Sequence, residues 1–225
     1  AAADVSTREA WQFYLPLAGA TALATIGRLL INGGLARTAD PQAALAAFSV
    51  AYYFGWIFIS PVFNLHLATI TFGRKAGGLK RVRSFALVFG LWSTAIVAAL
   101  AFSPLGRWVL GAWVGVAPRL MGPTVAALRV MVLIPPIMSI AEFLTGRLLL
   151  SGQTRAIGRA KVFNIAATAL ALFALGRVLG MGSVLGAWGL VAGSLAEAAL
   201  LILAARNVGG GAEALRETEN QELVS

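Results

Sequence analysis

Two arginines lie within apolar segments that are long enough to cross a lipid bilayer. Arg28 shares the segment 13–37 with Asn32, and Arg129 lies in a later segment. A cation inside a membrane-spanning helix is costly unless it has a charged partner or water beside it. Because a guanidinium binds carboxylate and phosphate through two parallel hydrogen bonds, we predict that Arg28, Asn32 and Arg129 bind an anionic or amphipathic ligand. The alternative is structural: each arginine pairs with a carboxylate or with backbone carbonyls near a proline, and Asn32 makes a hydrogen bond between helices.

Three titratable side chains also fall in apolar segments: Glu142, Glu197 and His66. Carboxylates inside a membrane are able to relay protons, and histidine titrates near neutral pH. These residues are therefore predicted to couple transport to protons or ions. The alternative is again structural. Glu142 and Glu197 would then each form a salt bridge with an arginine, which for Glu142 is favoured by Arg147 and the basic loops nearby. His66 would be a hydrogen-bonded packing residue.

Four prolines interrupt the apolar segments: Pro16, Pro61, Pro135 and Pro136. Proline bends a helix because it lacks the N–H group and its ring clashes with the preceding turn. We predict that these prolines are hinges, with a static kink as the alternative.

The composition predicts a helical membrane protein. Of the 225 residues, 59% are hydrophobic and 12% are charged, and the mean hydropathy is +0.81. A soluble domain carries roughly 25% charged residues, and a membrane-spanning helix needs about 20 apolar ones. The chain has no cysteine, which excludes disulfides and thiolate metal sites. With a single histidine and no nucleotide-binding or hydrolase motif, we expect no enzyme activity, no cofactor and no bound metal.

The fold class predicted is all-α, with six transmembrane helices in one domain spanning residues 11–206. A polar segment, 1–10, precedes this domain and a flexible charged tail, 207–225, follows it. Two four-residue glycine spacings in the last helix, Gly182/Gly186 and Gly189/Gly193, predict close packing against a neighbour. The expected helices are 11–35, 42–72, 84–102, 120–150, 162–179 and 184–205.

The charge distribution predicts that both termini are cytoplasmic. With this orientation, twelve lysines and arginines lie inside and four outside, which satisfies the positive-inside rule. The net charge of +9 is therefore interpreted as a topology signal, with membrane lipids rather than nucleic acid as partners. The basic loops 74–83 and 147–161 are expected to contact anionic headgroups, in a cytoplasmic (inner) membrane that the chain crosses several times.

Four short sequences resemble a known family of transporters. They are FYLPL at 13–17, SPLG at 103–106, LRV at 128–130 ahead of two prolines, and GRLLLSGQTR at 146–155. Together with six helices, they resemble one half of a transporter of the MATE-like multidrug/oligosaccharidyl-lipid/polysaccharide exporter superfamily. The details are similar to bacterial proteins related to the progressive-ankylosis transporters.

This resemblance implies a transport function. Such transporters usually have two six-helix lobes around a central cavity, and they alternate between inward-open and outward-open states. The resemblance covers about residues 10–206, which is one lobe, so a homodimer or another second lobe is implied. We expect a secondary transporter or flippase for an amphipathic or anionic solute. The alternatives are a proton- or sodium-coupled multidrug exporter for cations and a non-transporting membrane scaffold subunit.

Overall fold

The structure is a computed structural model that describes the backbone of residues 25–179 and 182–224 and the side chains of residues 25–177 and 182–206. Every regular element in these ranges is helical, and the ranges contain no strand. In chain order the elements are α1 (25–35), α2 (Pro41–Ile59), a 3-10 turn (Ser60–Asn64), α3 (Leu65–Phe72), α4 (Gly78–Phe102), α5 (Pro104–Ala112), α6 (Pro118–Met131), α7 (Ile134–Leu150), α8 (Thr154–Leu179) and α9 (Ser183–Val224).

Five stretches of helix in the described part are long and apolar enough to cross a membrane. They are Pro41–Phe72, Gly78–Phe102, Pro118–Leu150, Thr154–Arg177 and Ser183–Arg206. The prediction of an all-helical, multi-pass membrane protein is confirmed at this level. The first half of the predicted first helix, including Pro16, lies outside the described residues, so the sixth span stays a prediction, as do the orientation and the identity of the membrane.

Two of the spans are interrupted at their prolines. Pro61 lies in the 3-10 turn that separates α2 from α3, because a proline cannot donate to a carbonyl of the preceding turn. Pro135 and Pro136 lie in the first turn of α7, where the helix needs no backbone donor. The predicted helix 120–150 is therefore two helices, and the break falls just before the prolines. Whether these breaks move as hinges stays a prediction.

Three helices extend further than the sequence predicted. α4 begins at Gly78 rather than at 84, and α8 begins at Thr154 rather than at 162, so parts of both basic loops are helical. Lysine and arginine favour helices, and their long side chains carry the charge out to water. The backbone of α9 remains helical to Val224, beyond the predicted end at 205. The flexibility predicted for the tail is not tested by this observation.

Glycines in α9 bring it close to its neighbours. A Cβ on Gly193 would clash with Thr168 Oγ1 and would lie 2.7 Å from Asn164 Oδ1, both on α8. A Cβ on Gly186 would lie 2.8 Å from the ring of Phe48 on α2. The predicted close packing is therefore present at Gly186 and Gly193, and it holds α2 and α8 against α9 around the site described next. Gly182 does not take part: it lies in the turn before α9 with a φ of +49°, and a Cβ there would meet no atom within 4 Å.

Candidate functional site

A cavity of about 450 Å³ lies between α1, α2, α7, α8 and α9. It has an aromatic wall from α2, a polar wall from α8 and α9, and a cationic rim from α1. The lining includes Arg28, Asn32, Phe48, Tyr52, Tyr53, Trp56, Phe63, Lys161, Asn164, Thr168, Ser194 and Glu197.

The aromatic wall follows from the helical period. Phe48, Tyr52 and Trp56 are four residues apart, so they lie on one face of α2. The rings of Tyr52 and Trp56 stack with centroids 4.8 Å apart, and Trp56 lies 4.8 Å from the ring of Phe63. The result is a continuous aromatic surface for the apolar part of a ligand.

Arg28 lies against this wall without an acidic partner. Its Nη2 donates a hydrogen bond to the hydroxyl oxygen of Tyr52 at 3.2 Å. Its Cζ lies 5.2 Å and 5.8 Å from the ring centroids of Tyr52 and Tyr53, within the range of cation–π attraction. Neither of the two ion pairs found among the described residues involves Arg28. Its charge is therefore oriented by neutral aromatic groups, and Asn32 lines the cavity one turn further along.

The polar wall contains a buried ion pair. Glu197 is 2% exposed, and its Oε1 lies 2.5 Å from Nζ of Lys161. Its Oε2 accepts a hydrogen bond from Nδ2 of Asn164 at 2.8 Å. The structural alternative for Glu197 had an arginine as the partner, whereas the structure gives a lysine one helix away. The charge of Glu197 is thus compensated at the surface of the cavity.

His66 and Glu142 form a second pair outside the cavity lining. Nδ1 of His66 lies 2.7 Å from Oε2 of Glu142 and 2.7 Å from the carbonyl oxygen of Phe63. A carbonyl oxygen only accepts, so this arrangement requires a hydrogen on Nδ1. The structural alternative predicted an arginine such as Arg147 as the partner of Glu142. The structure gives His66 instead.

Arg129 does not line the cavity. Its Nε donates to the carbonyl oxygen of Ala101 at 3.2 Å, and its Cζ lies 5.3 Å from the ring of Phe102. A bond to a backbone carbonyl is what the structural interpretation of this arginine predicted. Of the three predicted binding residues, the structure therefore brings Arg28 and Asn32 to one cavity and places Arg129 elsewhere.

Tyr52, Tyr53, Trp56 and Lys161 are residues of the site to which the sequence-based prediction gives no role. Tyr52, Tyr53 and Trp56 lie in a segment interpreted only as apolar. The four-residue spacing of Tyr52 and Trp56 nevertheless predicts that these two share one helical face. Lys161 was assigned to a cytoplasmic loop because the predicted helix began one residue later, at 162. Its spacing of three and seven residues from Asn164 and Thr168 is the signal that identifies it as part of a helix face.

Comparisons of the chain with protein-family models, with curated proteins and with solved structures found no match. The site therefore has to be interpreted from its own geometry and chemistry.

Proposed function

We propose that the chain is one lobe of a secondary transporter or flippase that moves an amphipathic or anionic solute across a membrane. The observation that carries the proposal is Arg28, a cation on the wall of a cavity with no acidic partner among the described residues. A charge of this kind in a membrane-spanning helix needs water or an anion beside it.

The cavity combines the two features that an amphipathic anion requires. The guanidinium of Arg28 offers five N–H donors, and the described contacts use one of them, toward Tyr52. An anionic group would bind the free donors, while an apolar body would lie on the rings of Tyr52 and Trp56. The paired Glu197 on the opposite wall adds polarity without an uncompensated negative charge.

The exposed rim of the cavity is an argument for a second lobe. Arg28, Asn32 and Tyr53 are all exposed in the single chain, with Tyr53 at 59%. A second copy related by a two-fold axis is the simplest way to cover such a rim, since most homo-oligomers have closed symmetry. In the proposed mechanism, two lobes in a cell membrane enclose the ligand as in MATE-like transporters. The breaks at Pro61 and Pro135 then let the helices rock between inward-open and outward-open states.

Carboxyfluorescein efflux from proteoliposomes tests the proposal, since this dye is an amphipathic anion. Arg28→Ala is expected to lower the protein-dependent rate tenfold or more, because hydrogen bonds to charged groups contribute roughly 1.5–3 kcal/mol. Arg177→Ala is the control: its Cζ lies 4.1 Å from the ring of Phe173, but it does not line the cavity. Equal rates for the wild type and Arg28→Ala would contradict the anionic-solute proposal.

A second candidate function has a specific observation in its favour. Glu197 lines the cavity together with aromatic rings, and such rings bind organic cations. A proton- or sodium-coupled cation exporter would use Glu197 for the cation and the His66–Glu142 pair for coupling. If Glu197→Gln abolished ethidium efflux while Arg28→Ala remained active, this function would replace the first. His66→Gln should then remove the response to an imposed pH gradient while ethidium exchange without a gradient persists.

The third alternative, a non-transporting scaffold, has less support. It predicts that no solvent-accessible cavity exists beside the intramembrane charges. A cavity of about 450 Å³ beside Arg28 is an observation against it.

A further inference from the structure

A second and larger groove, of about 660 Å³, lies between α4, α7 and α9. It shares no lining residue with the cavity beside Arg28. The groove is therefore a separate site from the cavity proposed for transport.

Four cations from three helices converge at one end of this groove. Lys80 and Arg83 lie near the start of α4, Arg147 lies in the last turn of α7, and Arg206 lies on α9. None of the groove-lining residues is acidic, and none of the four cations belongs to an ion pair within the described side chains. Like charges that line one groove repel one another unless an anion lies among them. They are also at the end that the charge distribution assigns to the cytoplasm.

The groove becomes apolar away from these charges. Leu87 on α4 lines it and lies four residues, or about 6 Å, beyond Arg83. Ile140 on α7 also lines it and lies seven residues, or about 10 Å, from Arg147. Its floor includes Phe143 and Leu144, which are 8% and 7% exposed. The groove is thus cationic at the end of the bundle and apolar toward the middle of the membrane.

We infer that this groove binds one molecule of an anionic phospholipid, with the phosphate among Lys80, Arg83, Arg147 and Arg206 and an acyl chain along Leu87, Ile140 and Phe143. Two features support this occupant. The cationic cluster matches a phosphate, and basic pockets between membrane helices bind such headgroups. The apolar extension of the groove matches an acyl chain, whereas a soluble phosphate has no apolar part that would bind there. This is a defined site, in contrast with the general attraction of basic loops to a charged membrane surface.

Native mass spectrometry of the full chain, purified in non-ionic detergent and titrated with phosphatidylglycerol, tests the inference. The double variant Arg83→Gln/Arg147→Gln is expected to weaken binding of the first phosphatidylglycerol by tenfold or more. The control Arg74→Gln/Arg81→Gln removes the same number of charges from the same end of the bundle, outside the groove. It is expected to change binding by less than threefold. Equal losses in the two double variants would show surface attraction only and would overturn the inference.

A second variant tests the acyl chain without changing any charge. Leu87 is 41% exposed, so Leu87→Trp fits the surface while narrowing the groove, and it should weaken phosphatidylglycerol binding by fivefold or more. Unchanged binding by Leu87→Trp would contradict the position given to the acyl chain.

Soluble glycerol phosphate binding as tightly as the lipid would make this a site for a free anion. Phosphatidylcholine binding equally well would remove the role of the cations. If Arg83→Gln/Arg147→Gln shifted a dimer to a monomer and lipid binding stayed constant, the groove would be a protein interface.

Discussion

The guanidinium of Arg28 donates a hydrogen bond to the hydroxyl of Tyr52, with Nη2 3.2 Å from the oxygen. A phenol hydroxyl orients a guanidinium but leaves its charge uncompensated. The carboxylate of Glu197 is compensated, because Lys161 forms an ion pair with it and Asn164 donates a hydrogen bond to it. Among the described residues, the cavity therefore has one cation left for a ligand, Arg28, while the carboxylate of Glu197 is already paired.

Removing the hydroxyl of Tyr52 tests whether it orients Arg28. Tyr52→Phe keeps the ring stacked on Trp56 but removes the acceptor, so Arg28 loses its fixed position. We expect the affinity for the amphipathic anion 8-anilinonaphthalene-1-sulfonate to fall about fivefold, equivalent to roughly 1 kcal/mol, in a fluorescence titration. Tyr53→Phe is the control, because no described hydrogen bond involves the Tyr53 hydroxyl. Equal effects of the two variants would mean that the hydroxyl of Tyr52 has no special role.

The ion pair between Lys161 and Glu197 predicts that removing the lysine alone lowers stability. Removing both charges should restore most of it. Lys161→Met leaves the buried Glu197 carboxylate without a counter-charge. We expect this to cost about 2 kcal/mol, somewhat less than for a fully buried pair, because 38% of the Lys161 side chain is exposed. Lys161→Met/Glu197→Gln should recover most of the loss in thermal unfolding in detergent. Lys75→Met, in the turn between α3 and α4, controls for loss of a lysine. A double variant no more stable than Lys161→Met would contradict the pairing.

Two glycine substitutions should change stability in opposite directions. Gly193→Ala places a methyl group against Thr168 and Asn164, so it separates α8 from α9 and is expected to destabilise the fold by about 2 kcal/mol. Gly158→Ala, on α8, meets no atom within 4 Å and should stabilise the helix by roughly 0.5–1 kcal/mol. The melting temperatures of the two variants measure this directly. A melting temperature for Gly193→Ala equal to or above that of the wild type would contradict the close approach of the helices.

Periodicity and composition were sufficient to predict the helical class and most of the spans. A run such as 42–72 is apolar throughout, and proline acts locally, so the interruption at Pro61 was predictable from the sequence. Helix ends were less predictable. Basic residues at 80–83 and 155–161 suit both a loop and the first turns of a helix, and only the packed structure shows that they are helical.

The sequence did not predict which side chains pair between different helices. Glu142 has Arg147 only five residues away, yet its partner is His66, 76 residues away along the chain. Arg28 and Arg129 were both assigned to a ligand because each is a cation in an apolar segment. Which side of a helix faces a cavity depends on how the helices rotate against one another, and a single sequence does not encode that explicitly.

The proposed function requires that the cavity beside Arg28 contains water and accepts an anion. Because the chain has no native cysteine, a single introduced thiol reports its own exposure to water. Ser49 lines the cavity, and Leu170 on α8 is 67% exposed on the surface expected to face lipid. Reaction rates with a charged methanethiosulfonate reagent would be compared for Ser49→Cys and Leu170→Cys in liposomes, with and without carboxyfluorescein.

We predict that Ser49→Cys reacts at least tenfold faster than Leu170→Cys, since the reagent needs a thiolate in water. Carboxyfluorescein should slow this reaction, and the protection should disappear in Ser49→Cys/Arg28→Ala. If Ser49→Cys reacted as slowly as Leu170→Cys, or if protection persisted without Arg28, the account of a hydrated, anion-binding cavity would be contradicted.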